Sequence, residues 1–274
     1  MAASLTHAFK EKSLAAGLDR LSQAFAEGPP PVLDILHAAA ASLGIELTPQ
    51  HRGQLEAIAA IAETDHKGTY HNPIHFREVV ACTAVLMQHT SGALNEDQKY
   101  LLLVAAAVHD INHDGTGNKI DGQHVPFRLE DISFASVAPY LRLRGMDDAK
   151  IKDLHALLRA TDVSMGGPGQ PSPAARLRDG DFSNGLERYQ DRPDLQGMAM
   201  ILQAADIMPS SAISQQHSRA SSERLEQENG TPATAQSFAW FAENIARGAL
   251  ENVPDIGAQL AARMDGIRAA ALRP

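Results

Sequence analysis

Apolar residues return every three or four positions along most of this chain, and stretches alternating every second position are scarce. That phase belongs to helices that bury one face, not to strands. Apolar-periodic segments run over roughly 32–43, 50–63, 74–89, 96–113, 128–144, 148–161, 194–227, 233–250 and 255–272. Breakers separate them: EGPPPV (27–32), LTPQ (47–50), HDGTGN (113–118), MGGPGQPSPA (165–174) and NGTPA (229–233). Thr48-Pro49 and Asn95-Glu96-Asp97 are helix start signals. The N-terminal stretch MAASLTHAFKEKSLAAGLDRL is amphipathic and contains Glu11 and Asp19, so it is expected to form a helix rather than a signal peptide. No internal repeat and no clear interdomain linker interrupts the pattern. The longest piece without a helical phase, 165–187, is expected to be a functional loop at the rim of a site. The chain is expected to be all-α and a single domain.

Composition narrows the function. The chain has 274 residues, enough for a substantial core, with 44% hydrophobic and only 5% aromatic residues. The formal net charge of −9 argues against nucleic-acid or anionic-membrane binding. An anionic substrate would then need local positive charge, which a bound metal supplies. One cysteine, Cys82, excludes an intramolecular disulfide and thiolate zinc sites. No transmembrane run is visible, and a cytoplasmic location is the simplest reading.

Candidate chemistry gathers in four segments. YHNPIHFREVV (70–80) places His71 and His75 four apart at the start of a helix, a metal-ligand spacing that also arises by accident. LLLVAAAVHDINHDGTGN (101–118) is an apolar run ending in His109-Asp110, with His113 one turn on and Asn118 after a glycine-rich turn. Burying His109 and Asp110 there is costly unless something satisfies both. In a continuing helix His109 and His113 would share a face. Asp206 in MILQAADIMPS and Asp162 in LLRATDVSMGG are acids where the helical phase asks for a core residue. Histidine pairs and acids spread over four helices are what a metal site in a helical bundle requires.

The order and spacing of these segments resemble a known family. His109-Asp110-x-x-His113-x-x-x-x-Asn118 matches the HD-x2-H-x4-N signature of class I cyclic-nucleotide phosphodiesterases, within the HD phosphohydrolase superfamily. YHNPIHFREV resembles that family's YHNxxHxxDV motif, with Glu78 where aspartate is usual. RLEDIS (128–133), ATDVS (160–164) and QAADIMP (203–209) resemble its LE-containing helix, its ATDMS segment and its last metal-ligand segment.

The resemblance implies a compact helical bundle of the HD/PDEase type with a metal site between helices. Residues 1–65 would pack as an N-terminal helical segment on a catalytic domain of 66–274. It implies that His75, His109, Asp110 and Asp206 bind a first metal, Zn2+ or else Fe or Mn, with Asp110 bridging to a second, Mg2+ or Mn2+. A hydroxide shared by the two metals would attack phosphorus and open a 3',5'-cyclic nucleotide, cAMP or cGMP, to the 5'-monophosphate. His71 would be the general acid, protonating the departing ribose oxygen. His113 and Glu130 would hold the water network and orient His71 or the second metal, with Asn72 and Asn118 supporting the site. Tyr70, Asp162, Gln236, Phe238 and Phe241 would contact substrate, although the family's Gln-x-x-Phe spacing is broken by Ala239. Partners would be the small-molecule cyclic nucleotide, with no nucleic acid and no membrane, and a homodimer is left open. The alternatives are another HD-superfamily phosphoester hydrolase, an HD-fold di-iron oxygenase, which needs more histidine ligands, and a non-catalytic nucleotide-binding scaffold.

Overall fold

The structure is a computed structural model that describes residues 2–64, 67–90, 94–163, 171–230, 232 and 234–271. Its helices are α1 (Ala2–Ala8), α2 (Leu14–Ala26), α3 (Val32–Ser42), α4 (Pro49–Thr64), α5 (Pro73–His89), α6 (Glu96–Val108), α7 (Arg128–Leu143), α8 (Asp148–Arg159), α9 (Pro173–Arg178), α10 (Pro193–Ser211), α11 (Gln215–Asn229), α12 (Ala235–Phe241), α13 (Arg247–Glu251) and α14 (Gly257–Ala271). A 3-10 turn at Glu187–Tyr189 precedes α10, and a π turn at Ala242–Ala246 joins α12 to α13. Two short strands, β1 (Lys119–Ile120) and β2 (Gln123–His124), pair antiparallel. The molecule is otherwise an all-α bundle. Among the described residues no helix is long and apolar enough to cross a membrane.

Three helices form the centre. In α6 every residue from Tyr100 to Val108 is buried, and α5 and α10 are buried over most of their circumference. A helix apolar on all sides can be satisfied only by neighbours on all sides. Accordingly α5 packs on both α6 and α10, and α10 also lies against α6. Helices α2 and α3 cover α5, α4 bridges α6 and α7, and α11, α13 and α14 close the far side of α10. One apolar cluster runs from Leu5 to Met264. Leu102 sits at its middle with no exposed surface. Leu102→Ala is expected to cost about 2–5 kcal/mol through lost burial and the cavity left behind. A lowered midpoint of urea unfolding with an unchanged slope would report it.

Several boundaries depart from the periodic pattern. The N-terminal stretch forms two helices, because Ser13 accepts a hydrogen bond from the Ala16 N–H and caps a new start. The segment predicted over 96–113 ends at Val108. Asn112 takes a left-handed φ of 61°, so His109 to His113 occupy turns and do not share one helical face. The segment over 194–227 breaks after α10, and Ser214 caps α11 by accepting from the His217 N–H. Within 165–187 lies α9, the 3-10 turn begins at its last residue, and residues 165–170 of that expected rim fall outside the described residues.

Candidate metal centre and active-site cleft

The three central helices deliver one convergent set of donors. Asn72 caps α5 by accepting from the Ile74 N–H, and Pro73 opens the first turn, which fixes the entry of the segment carrying His71 and His75. The His75 Nε2 lies 3.2 Å from the His109 Nε2 and 3.1 Å from the Asp206 Oδ1. The His109 Nε2 lies 3.2 Å from that same oxygen and 3.0 Å from the Asp110 Oδ2. His75 and His109 are fully buried, and all four ligand atoms lie within 4.8 Å of one another.

The donor chemistry fits a cation. His109 donates its Nδ1–H to the Ala106 carbonyl at 3.0 Å, so in the neutral ring the lone pair is on the Nε2 that faces the carboxylates. Burial alone would depress both imidazoles, but Asp110 and Asp206 outweigh it, raising His75 and pushing His109 well above its ordinary value. Burial would likewise raise the two acids, yet the His109 charge holds Asp110 well below the carboxylate range and Asp206 at about 2. The cluster demands positive charge at its centre, and two imidazole nitrogens with two carboxylates are a donor set suited to a divalent metal.

His71 stands beside this cluster, its Nε2 3.7 Å from the Asp110 Oδ2. Its Nδ1 is 2.5 Å from the Glu228 Oε1. The other Glu228 oxygen accepts from the backbone N–H of Tyr70 at 2.8 Å and of His71 at 3.1 Å. Burial would raise Glu228, but His71 and these two amides bring it down to about 2. An ionised carboxylate only accepts, so the His71 Nδ1 carries the proton and its Nε2 is turned to the cluster. The His113 ring stacks on His71, with centroids 3.6 Å apart and 20° between planes. Burial, then the His71 charge, depresses His113. His71, His113 and Glu228 also bring three potential ligand atoms within 4.8 Å.

Glu228 was not singled out by the sequence reading. It lies in the run ERLEQENG (223–230), where the sequence suggests part of the wall opposite the site with Leu225 inward but does not single out either acid, and its partner is 157 positions away in the chain. The remaining sequence-predicted groups form a supporting shell. The Asn118 Nδ2 donates to the Glu130 Oε2 at 3.1 Å, and its Oδ1 accepts from the Leu129 N–H at 2.8 Å. Burial, then Asp162 and Asp110, push Glu130 well above the usual carboxylate range. Asp162 accepts from the Phe127 N–H at 3.1 Å, fixing the start of α7. The buried Tyr70 hydroxyl shares a 2.7 Å hydrogen bond with Ser210, and its ring lies 4.5 Å from that of His75. Arg224 covers the Tyr70 ring at 5.8 Å and donates to the buried Glu78, tying α11 to α5.

A cleft of about 440 Å3 opens over the cluster, with His71, Asp110, His113 and Asp206 in its floor. Its far wall is built by Leu225, Glu226 and Asn229 from α11 and by Ser237, Trp240 and Phe241 from α12. This corrects two of the expected substrate contacts. Gln236 is exposed and does not line the cleft, and Phe238 is buried against a separate hollow beside Ile267. Helical phase is the reason. Ser237, Trp240 and Phe241 follow at three and four residues on one face, about 100° from Gln236 and from Phe238 in opposite senses. Trp240 is 59% exposed in that wall.

Comparison with known proteins agrees with this geometry. Residues 70–122 match the family model of 3'5'-cyclic nucleotide phosphodiesterases. A probable 3',5'-cyclic phosphodiesterase, pde-6, of Caenorhabditis elegans is 41% identical over 64 residues, covering 22% of this chain and 8% of that protein. The phosphodiesterase domain of the RhoPDE fusion protein from the choanoflagellate Salpingoeca rosetta superimposes with a TM-score of 0.60 at 19% identity, covering 96% of this chain and 92% of that one. The sequence match is local to residues 70–122, and the chain-wide likeness is one of fold.

Proposed function

We propose that this chain is a metal-dependent phosphodiesterase that opens a 3',5'-cyclic nucleotide to its 5'-monophosphate. The observation that carries the reading is the convergence of His75, His109, Asp110 and Asp206 beside a histidine that is no part of their set and is aimed by a carboxylate of its own. His75, His109, Asp110 and Asp206 would hold the first metal, zinc or another transition metal, and Asp110 would share the second, magnesium or manganese. Bound there, such cations supply an activated water and polarise the phosphodiester.

The chain's own groups supply the rest. With divalent cations held by His75, His109, Asp110 and Asp206, the floor would present positive charge, so the phosphate end of a substrate belongs over the cluster. His71 gives its Nε2 proton to the ribose oxygen as the ester bond breaks, and Glu228, on Nδ1, sets the ring's orientation. His113 stacks on that ring and restricts its rotation. Asn118 and Glu130 line the neighbouring floor, where a protonated Glu130 can donate a hydrogen bond to water. Residues 1–65 act in this reading as a helical segment that backs α5, with 66–274 as the catalytic part of one structural unit. The enzyme is assigned to the cytosol, consistent with its single, buried thiol at Cys82.

The test is incubation of purified protein with cAMP and with cGMP in the presence of Mg2+ or Mn2+, with the product identified by phosphorus NMR. Formation of a 5'-monophosphate is the expected result. Protein that carries metal and turns over neither nucleotide would overturn the reading and favour a different phosphoester.

A further inference from the structure

The far wall of the cleft contains a polar group that the chemistry at the floor does not use. One oxygen of Glu226, Oε1, accepts from the Ser237 hydroxyl at 2.5 Å. The other, Oε2, is shut away from solvent and has no hydrogen-bond donor among the described residues. A carboxylate oxygen in that state is expensive unless a donor arrives to meet it. The Ser237 hydroxyl is not committed to Glu226, since the Thr234 carbonyl lies 2.9 Å from it as a second acceptor. Glu226 can therefore turn both oxygens to a ligand without stranding Ser237.

Three observations say which part of a ligand this wall takes. A carboxylate repels phosphate, which belongs at the cluster. Trp240, Phe241 and Leu225 line the same wall as Glu226 and offer two aromatic rings and an apolar side chain, surfaces on which a planar base stacks. Glu226 and His71 line the same cleft of about 440 Å3, so one ligand can meet both the wall and the acid.

We propose that Glu226 selects guanine, which deepens the reading above and rests on it. Guanine carries two adjacent donors on one edge, N1–H and the 2-amino group, and these match the two oxygens of a carboxylate. Adenine and cytosine each set a single amino donor beside a ring nitrogen whose lone pair would face the second oxygen. Uracil flanks its one N–H with two carbonyls. Asn229, on the same face as Glu226, has a carboxamide that can donate to the guanine O6. The enzyme is thus a cGMP-preferring member of its class, with Glu226 as the residue that sets the preference.

The experiment is calorimetric binding of the hydrolysis-resistant Rp-phosphorothioates of cGMP, cAMP and cIMP to the metal-loaded protein and to its Glu226→Gln variant. A bidentate pair discriminates by about tenfold or more, so the guanine analogue should bind at least about tenfold tighter than the adenine one. The hypoxanthine analogue, which keeps N1–H and lacks the 2-amino group, should fall between them. Glu226→Gln should bring guanine and adenine to within about twofold while adenine binding persists, which also shows that the variant is folded. Equal binding of the guanine and hypoxanthine analogues by the unmutated protein overturns the assignment without any variant. So does a guanine-to-adenine ratio that Glu226→Gln leaves unchanged, or binding of none of the three. Turnover of cAMP and cGMP, measured separately, keeps the two claims apart. Guanine-selective binding without turnover sinks the reaction and keeps the base assignment, and turnover without selectivity does the reverse.

Discussion

Asp206→Ala is expected to leave the protein folded, strip it of divalent metal and abolish turnover. Asp206 is the residue through which α10 joins α5 and α6, since its Oδ1 lies within 3.2 Å of both buried imidazole nitrogens. Without it those two rings keep only Asp110 as a charged partner, and a cation loses one of its two carboxylates. Loss of a group that merely orients a ligand costs roughly 10–100-fold in metal affinity or activity, so loss of the ligand itself should exceed that range. Metal content by plasma emission after desalting, set beside the unfolding midpoint, separates a lost site from a lost fold. Full metal occupancy in a folded Asp206→Ala protein would sink the ligand assignment.

His71→Ala should behave in the opposite way, retaining metal and losing rate. Its ring is held by Glu228 rather than by the cluster, so the four convergent donors stay in place without it. Removing a general acid costs typically 10²–10⁴-fold in turnover, and the loss should fall on kcat more than on KM. A substrate whose leaving group needs no protonation, such as a p-nitrophenyl phosphodiester, should recover most of that loss. Equal losses on the cyclic nucleotide and the nitrophenyl ester would remove proton donation from the role of His71.

The floor of the site was legible in the sequence because it breaks a rule that the sequence states openly. His109, Asp110 and Asp206 end runs of buried apolar residues, where an ionisable group has no inexpensive place to go. The helix boundaries around them were less legible. Nothing in INHD announces that Asn112 turns left-handed and stops α6 at Val108, yet that turn sends His113 away from His109 and onto His71. Glu226 and Glu228 were hidden for the opposite reason. The run ERLEQENG offers a wall through Leu225, but nothing in its sequence says which of its acids folding turns toward the cleft. Gln236 and Phe238 were chosen by likeness to a motif, and helical phase turned both away from the site. Trp240, three residues along from Ser237, follows the phase that a helix of known direction would have given.

The π turn at Ala242–Ala246 makes the wall of the cleft tolerant of one kind of change and sensitive to another. A π turn holds one residue more than an α-helical turn and takes that residue up within a single widened turn. On one side Ser237, Trp240 and Phe241 face the cleft, while on the other Ala246 and Leu250 face the core. Deleting a single residue within 242–246 would restore a uniform helix and leave both faces nearly where they are. A residue lost from the regular helix before it, within 235–241, would instead turn the positions ahead of the gap by about 100° with the core end anchored. A lineage could thus lose a codon at the π turn without disturbing the wall, whereas the same loss one turn earlier would exchange the side chains that face the cleft.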